Sequence, residues 1–382
     1  GTYYKRWSSG VYGSTANIEG MANIFALMNY SSLANNCQNS HYPFTGATNF
    51  NSPGNTCNGE QSRLYFILGE VNRVASNILL NMSDSGLTLS PPGTNARDLR
   101  AKAFAEFLRG VSLGYISMMH DSSAIISPHM SPTPEDCVPD AFSGVCVGAL
   151  RGYREVFDSA MVALQRSIDF ANSTATGPQG FPLPADWIPS PTSFTATEFV
   201  RLVRTYRARI RANVARTPAE RAAADWQAII NDAVAGITGD HEIITSTTAG
   251  PGNSWRQQYE SFSTWHQMPP FIIGMADTSG TYAAWTAQPL SARGSGSVSF
   301  IMGTAGHRFP EGTTRAAQQG DFAIASCGGA AQLCRRYFRN RPAGNDQLAG
   351  AGWGWSNYDF VRFHSWQLAG DAGSARKRKT LF

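Results

Sequence analysis

The chain has 382 residues, enough for two or three domains of about 100–200 residues each, and 42% of them are hydrophobic, so a sizeable core can be buried. Only 15% are charged, against roughly 25% in soluble proteins generally, and the net charge of +4 is spread along the sequence. That balance excludes a nucleic-acid binder, which would gather Lys and Arg on one face, and the lack of about eighteen consecutive apolar residues excludes a helical membrane span.

In chain order, the opening GTYYKRWSSG is aromatic and polar from the outset, unlike a signal peptide, so if the protein is exported its targeting segment is expected upstream of Gly1. One weak amphipathic segment, Asn17 to Leu33, is followed by a loop dense in Asn, Ser, Pro and Gly. From Gln61 to Leu80 the spacing of Leu64, Ile67, Leu68, Val71, Val74, Ala75 and Ile78 predicts a helix. A Pro91-Pro92-Gly93 turn then leads to the strongest pattern in the chain, Arg97 to Ile126. There Leu99, Ala103, Phe104, Phe107, Leu108, Val111, Tyr115, Met118 and Met119 form one wide apolar stripe, with Arg97, Arg100, Lys102, Glu106 and Arg109 largely off it. Asn95 and Asp98 are expected to accept from the free amides at its start, and His120-Asp121-Ser122-Ser123 to close it.

Three more helices are predicted, at Tyr153–Ala171, Thr195–Ala215 and from Thr217-Pro218-Ala219-Glu220 to about Ile237, the last opened by an N-cap threonine with proline at the first position. Asn172 to Ser193 is a Pro-rich insertion holding Phe181 and Trp187. The arginines of the Thr195 helix, Arg201, Arg204, Arg207, Arg209 and Arg211, read first as a solvated or salt-bridged face. From Gly239 to Gly352 helical periodicity gives way to Gly, Ser, Thr, Trp and Tyr, with short alternating pieces such as Ser297 to Met302 reading as strands. Asn357 to Leu368 reads as helix, and Arg376 to Lys379 as a solvated chain end. The fold class expected is mainly α, a tetratricopeptide-like scaffold of helical pairs over 1–238, with a large irregular loop-rich subdomain over 239–352 and a return to the scaffold over 353–382.

The six cysteines fall as close pairs in loop-type sequence: Cys37 with Cys57, Cys137 with Cys146, and Cys327 with Cys334. Three local disulfides and an oxidising compartment are expected. No pair has C-x2-C spacing and no histidines are interleaved, so no metal cluster and no cofactor are expected.

Gly110-Val111-Ser112-Leu113-Gly114 fits the G-x-S-x-G elbow of α/β-hydrolases, but that motif needs a strand feeding a sharp turn, and here it lies inside a predicted helix. Asp240-His241-Glu242 and His120-Asp121 lack the spacing of metal-binding helices and are expected to serve as caps or loop hydrogen bonds. No catalytic residue is assigned.

The aromatics Trp255, Tyr259, Trp265, Tyr282 and Trp285 stand in polar loop sequence beside Asn253, Arg256, Gln257, Gln258, Gln267 and Asp277. Flat rings stack on the apolar faces of sugars while amides, carboxylates and guanidinium groups satisfy the hydroxyls, so these five rings are the candidate ligand site. The competing reading is that they pack the loop region onto the rest of the protein.

With these elements placed, Phe107-Leu108-Arg109-Gly110 and the run to Met118-Met119-His120-Asp121 resemble the FLRA/G…F.L…YGD.PL segment of the RagB/SusD family of outer-membrane nutrient-binding lipoproteins, with Met119-His120 in place of its Tyr-Gly and Ser122-Ser123 in its proline region. Tyr65-Phe66-Ile67-Leu68 with Val71-Asn72-Arg73-Val74 resembles its Y..I..AN helix, and Tyr358 to Phe363 its late RYAE helix. The likeness stops at both ends, where the lipidated cysteine and the C-terminal A…IN.VR.R region of the family are not found. It implies a non-enzymatic protein on the extracellular face of the outer membrane, held there by an upstream lipid anchor, that captures a glycan and delivers it to a TonB-dependent, SusC-like transporter. Family ligand residues follow no fixed motif, so none is carried over by position. A structural subunit that self-assembles into an extracellular layer or filament on the same stapled, low-charge scaffold is the alternative.

Overall fold

A computed structural model describes residues 30–31, 58–126, 137–139, 146–173, 180–188, 190, 193–239, 241–245, 266–267, 274–289, 300–325, 336–340, 358–360 and 376–380. The chain divides into two compact units: Gly1–Ser8 with Tyr65–Pro251 and Arg376–Phe382, and Ser9–Leu64 with Gly252–Ala375.

The first unit is mainly helical. Among the described residues it carries α1 (Asn58–Ser83, from Tyr65 onward), α2 (Ala96–Met119), α3 (Tyr153–Ser173), α4 (Ala196–Asn213), α5 (Pro218–Ala222) and α6 (Trp226–Val234). Helices α2, α3 and α4 pack on one another, and α6 packs on α4. Helix α2 is the centre: Ala101 and every residue from Ala103 to Ser117 are buried. Its Phe107 ring meets Phe199 at 5.5 Å and Tyr206 at 5.7 Å on α4. Burying each such side chain stabilises by about 1.5–3 kcal/mol. The Pro-rich insertion closes one side, with Trp187 4.8 Å from Phe104, Phe181 5.5 Å from Phe199, and Arg100 donating to the carbonyls of Gly180 and Pro182.

Helix α2 is buried on several sides, more widely than the single apolar stripe expected from its spacing. Glu106 and Arg109 lie inside, not on a solvated face, and pair at 3.1 Å, with Arg166 3.7 Å from the other carboxylate oxygen. Loss of water pushes the Glu106 carboxyl up from its ordinary range, against the pull of the two arginines. Arg109 Nε and Ser76 Oγ both donate to the carbonyl of Ile126, tying α1 and α2 to the same turn of chain.

The start of α2 is also satisfied differently from expectation. Asn95 makes no side-chain cap bond. Instead Ser90, from the preceding turn, accepts from the amides of Arg97 and Asp98, and Asp98 accepts in return from Leu89 and Ser90. Helix α4 is opened by a reciprocal Thr195–Glu198 capping box. The helix expected from Thr217 to Ile237 is broken: Thr217 and Glu220 cap α5, and Asp225 then accepts from Ala228 N at 2.9 Å to start α6 afresh.

The glycines of the G-x-S-x-G pattern have a packing role. A Cβ on Gly110 would lie 2.6 Å from Leu164 Cγ of α3, and one on Gly114 would strike Ile210 of α4, so the bare backbone is what lets three helices close up. Ser112, between them, is fully buried in mid-helix.

Short antiparallel pairs complete this unit: β2 (Ser122–Ala124) with β5 (Leu150–Gly152), β3 (Cys137–Pro139) with β4 (Cys146–Gly148), and β6 (His241–Thr245) with β10 (Arg376–Thr380). In the last pairing Arg376 to Lys379, expected as a chain end, form a strand opposite Thr245 to Glu242. Of the cysteines, Cys137 is in register with Gly148 and Cys146 with Pro139. Cys37, Cys57, Cys327 and Cys334 lie outside the described residues.

The second unit holds a four-stranded antiparallel sheet in the order Tyr30–Ser31 (β1), His266–Gln267 (β7), Tyr358–Phe360 (β9) and Phe338–Asn340 (β8). Tyr358 to Phe360 is thus strand, not the helix expected from Asn357. Two helices appear where the sequence showed no period, α7 (Thr281–Thr286) and α8 (Arg315–Ala325). Phe300 to Met302, expected in a strand, is irregular chain, and it contributes Phe300 and Met302 to a core with Phe338 and Tyr358. No helix among the described residues is long and apolar enough to cross a membrane.

Candidate functional site

The second unit contains the two candidate ring residues that fall within the described part of the chain. The sequence Asp277-Thr278-Ser279-Gly280 forms a turn in which Gly280, at φ 80°, takes a left-handed conformation that favours glycine and launches α7. Asp277 binds the turn together. Its carboxylate accepts from Ser279 N at 3.0 Å, Ser279 Oγ at 2.6 Å, Tyr282 N at 3.0 Å and Gly303 N at 3.0 Å. Partial burial works to raise its pKa, but these donors outweigh it and hold the carboxyl down at about 2. Asp277 is therefore occupied with its own turn.

On α7, Tyr282 and Trp285 are one turn apart, and their rings stack at 5.8 Å with 28° between planes. Both rest on Phe300, Tyr282 edge-on at 5.1 Å and Trp285 at 5.4 Å. Tyr282 also lies over Gly274, where any Cβ would strike the ring. Both side chains are half-buried, one side against the core and the rest at the surface.

Beneath them is a polar network inside the core. The Tyr358 hydroxyl, in the sheet, accepts from Met302 N at 2.9 Å and donates to Gln318 Oε1 at 2.7 Å. Gln318 Oε1 also accepts from Asn340 Nδ2 at 3.0 Å, and its amide donates to the carbonyls of Met302 at 2.9 Å and Gly312 at 3.1 Å. Desolvation moves the Tyr358 phenol up to about 12, so it stays a neutral donor. Nearby, Arg336 holds Asp321 at 3.0 Å and Glu311 at 3.0 Å while donating to the His307 carbonyl. The ring pair thus sits on Phe300, above a hydrogen-bonded buried network.

Of the five candidate rings, the structure brings together Tyr282 and Trp285; Trp255, Tyr259 and Trp265 lie outside the described residues. Phe300 and Gln318, the mount, are not legible in the sequence, because α8, which carries Gln318, shows no helical apolar period there. A Thr314 that caps Ala317 at 3.1 Å was its signal. Among the described residues no group of three or more His, Cys, Asp or Glu gathers at a metal-binding distance.

Asp277 offers a direct test of how firmly the rings are set. Its folded pKa lies below the ordinary carboxyl value of 3.8, so its contribution is complete above about pH 4 and is lost as the pH falls through about 2. Near-ultraviolet circular dichroism and tryptophan fluorescence should therefore change between pH 4 and 2. Asp277→Asn, which cannot accept through two charged oxygens, should show the loosened signal already at pH 7, and a variant indistinguishable from the parent would refute the anchoring role.

Against known proteins, no family model matches the sequence, and no curated protein matches it. The chain is similar to a SusD/RagB family protein. The match is to a crystal structure of such a protein from Bacteroides thetaiotaomicron, with 11% identity and a TM-score of 0.45, over 75% of this chain and 51% of that one. The chain thus spans about half the length of the solved structure it matches.

Proposed function

We propose that this protein is a glycan-binding surface protein of the SusD type, which captures an oligosaccharide outside the cell and passes it to a TonB-dependent transporter in the outer membrane. The observation that carries the reading is the Tyr282–Trp285 pair, two stacked rings on one short helix, backed by Phe300 and left partly open to solvent. A rigid aromatic surface is suited to the apolar face of a sugar, and preorganising it lowers the ordering cost of binding. The region 239–352 is the ligand subdomain in this reading, with Trp255, Tyr259 and Trp265 as further contacts. Local disulfides Cys37–Cys57, Cys137–Cys146 and Cys327–Cys334, an oxidising compartment and an upstream lipid anchor belong to the same proposal.

The test is titration calorimetry and affinity electrophoresis against a panel of polysaccharides. At least one glycan should bind, and Trp285→Ala and Trp265→Ala should each weaken it about tenfold, as loss of a stacked ring worth about 1–1.5 kcal/mol does. Because Trp285 also touches the core, Tyr282→Phe serves as a control that keeps the ring and should bind normally. A panel with no binder, or substitutions without effect, would defeat the proposal.

A further inference from the structure

The first unit contains an open cleft of about 370 Å³ that has nothing to do with the aromatic pair. It is formed by one face of α3, the end of α4, and the α5–α6 turn, and its floor is apolar: Phe157, Met161, Val214 and Ile229. Its rim holds five charged residues, and their partners can be counted. Glu220 is fully engaged, accepting from the Tyr153 hydroxyl, from Arg154 at 3.2 Å, and from the amides of Arg216 at 2.5 Å and Thr217 at 3.3 Å. Arg154 is held by Glu220 and lies 5.2 Å over the Tyr153 ring. Asp225 caps α6.

Two groups are left over. Arg211 uses only its Nε, 3.4 Å from Met161 Sδ and 3.7 Å from Asp232, so its two terminal nitrogens have no partner among the described residues. Asp158 is exposed on the rim and likewise has no hydrogen bond or ion pair among the described residues. The cleft therefore offers one planar guanidinium fork, one carboxylate, and apolar side chains in the same lining.

We propose that this cleft binds a small zwitterion with an apolar side chain, of the class of free α-amino acids. The fork of Arg211 matches a carboxylate with two parallel N–H donors, which a point charge cannot do. Asp158 takes the ammonium group, and Phe157, Met161 and Ile229 receive the side chain. A neutral sugar gains little here, since the free groups are charged and the remaining surface is apolar. The volume lies within the range of about 300–1,000 Å³ usual for small-molecule sites.

Titration calorimetry of the full chain with L-leucine, L-methionine and L-phenylalanine tests this. At least one should bind, and its N-acetyl and amide derivatives, each lacking one charge, should bind at least tenfold more weakly. Arg211→Gln should abolish the preference for the free acid over the amide, and Asp158→Asn the preference for the free amine over the N-acetyl form. Unfolding midpoints verify that both variants fold, and Asp158→Asn, at an exposed position, carries the test alone if Arg211→Gln does not. Absence of heat with all three amino acids, equal binding of the derivatives, or binding insensitive to both substitutions would overturn the proposal and leave Asp158 as a solvated carboxylate and Arg211 as a member of the Asp232 cluster.

Discussion

Replacing Asp232 with alanine should destabilise the first unit by about 3–5 kcal/mol, the cost of breaking a buried ion pair from one side. Asp232 is 2% exposed on α6 and faces three arginines of α4. Arg207 grips it with both Nε, at 2.7 Å, and Nη2, while Arg204 reaches it at 3.3 Å and Arg211 at 3.7 Å. Positions 204, 207 and 211 share one face of the helix, so a single carboxylate ties α6 to three positions of α4. The three arginines are not equivalent once it is gone. Arg204 and Arg211 have side chains about a third and a quarter exposed and can turn toward water; that of Arg207, at 7%, cannot.

The double variant Asp232→Ala with Arg207→Met should therefore recover most of the loss, and Asp232→Ala with Arg204→Met little of it. Urea unfolding followed by circular dichroism measures both, with a fall in thermal midpoint on the order of 10 °C expected for the single variant. Arg151→Ala provides the contrast: its pairing with Glu155 at 4.0 Å is exposed and should change stability by no more than about 0.5 kcal/mol. An Asp232→Ala protein within 1 kcal/mol of the parent would mean that the cluster is no more than surface decoration.

This cluster also marks the limit of what the sequence discloses. The five arginines of α4 read in the sequence as a solvated or salt-bridged face, and of these Arg204, Arg207 and Arg211 pair with Asp232. Which arginines turn inward depends on α6 lying against α4, and α6 itself was hidden inside a longer pattern that Asp225 interrupts. The same holds for Glu106 and Arg109 of α2. Helical periodicity identifies one buried stripe, whereas a helix with neighbours on several sides buries its polar residues as well, and only the tertiary contacts reveal that. The strand pairings were least legible, because they join residues far apart: His241–Thr245 meets Arg376–Thr380, and Tyr358 meets Asn340. Pieces of two to five residues carry too little pattern to be recognised before their partners are known. In the candidate site the aromatic identities were readable, but the i, i+3 relation of Tyr282 and Trp285 was not. It depends on a six-residue helix that exists because Gly280 and Asp277 start it.

The second large effect is expected at Gln318. Gln318→Leu preserves volume but withdraws the acceptor used by the Tyr358 hydroxyl and Asn340 and the donor used by the Met302 carbonyl, all inside the core. Each buried group deprived of a partner costs about 1–3 kcal/mol, so a loss of about 3–5 kcal/mol in the second unit is expected. Gln318→Glu separates shape from hydrogen bonding. Burial raises the pKa of a carboxyl at this position above its unfolded value. The native state then binds the proton more tightly, so this variant should be most stable below about pH 4 and lose stability as the pH rises through the raised folded value. The parent, with a neutral amide there, should lack that slope. Gln318 lies two contacts from the ring pair, through Tyr358 and then Phe300, whose centroids are 6.2 Å apart. If the network is the mount for Tyr282 and Trp285, the near-ultraviolet signal and glycan affinity of Gln318→Leu should fall together at temperatures where far-ultraviolet helicity is intact. Retention of both while global stability drops would instead assign Gln318 to the core alone, and leave the rings to be held by Asp277 and Gly274.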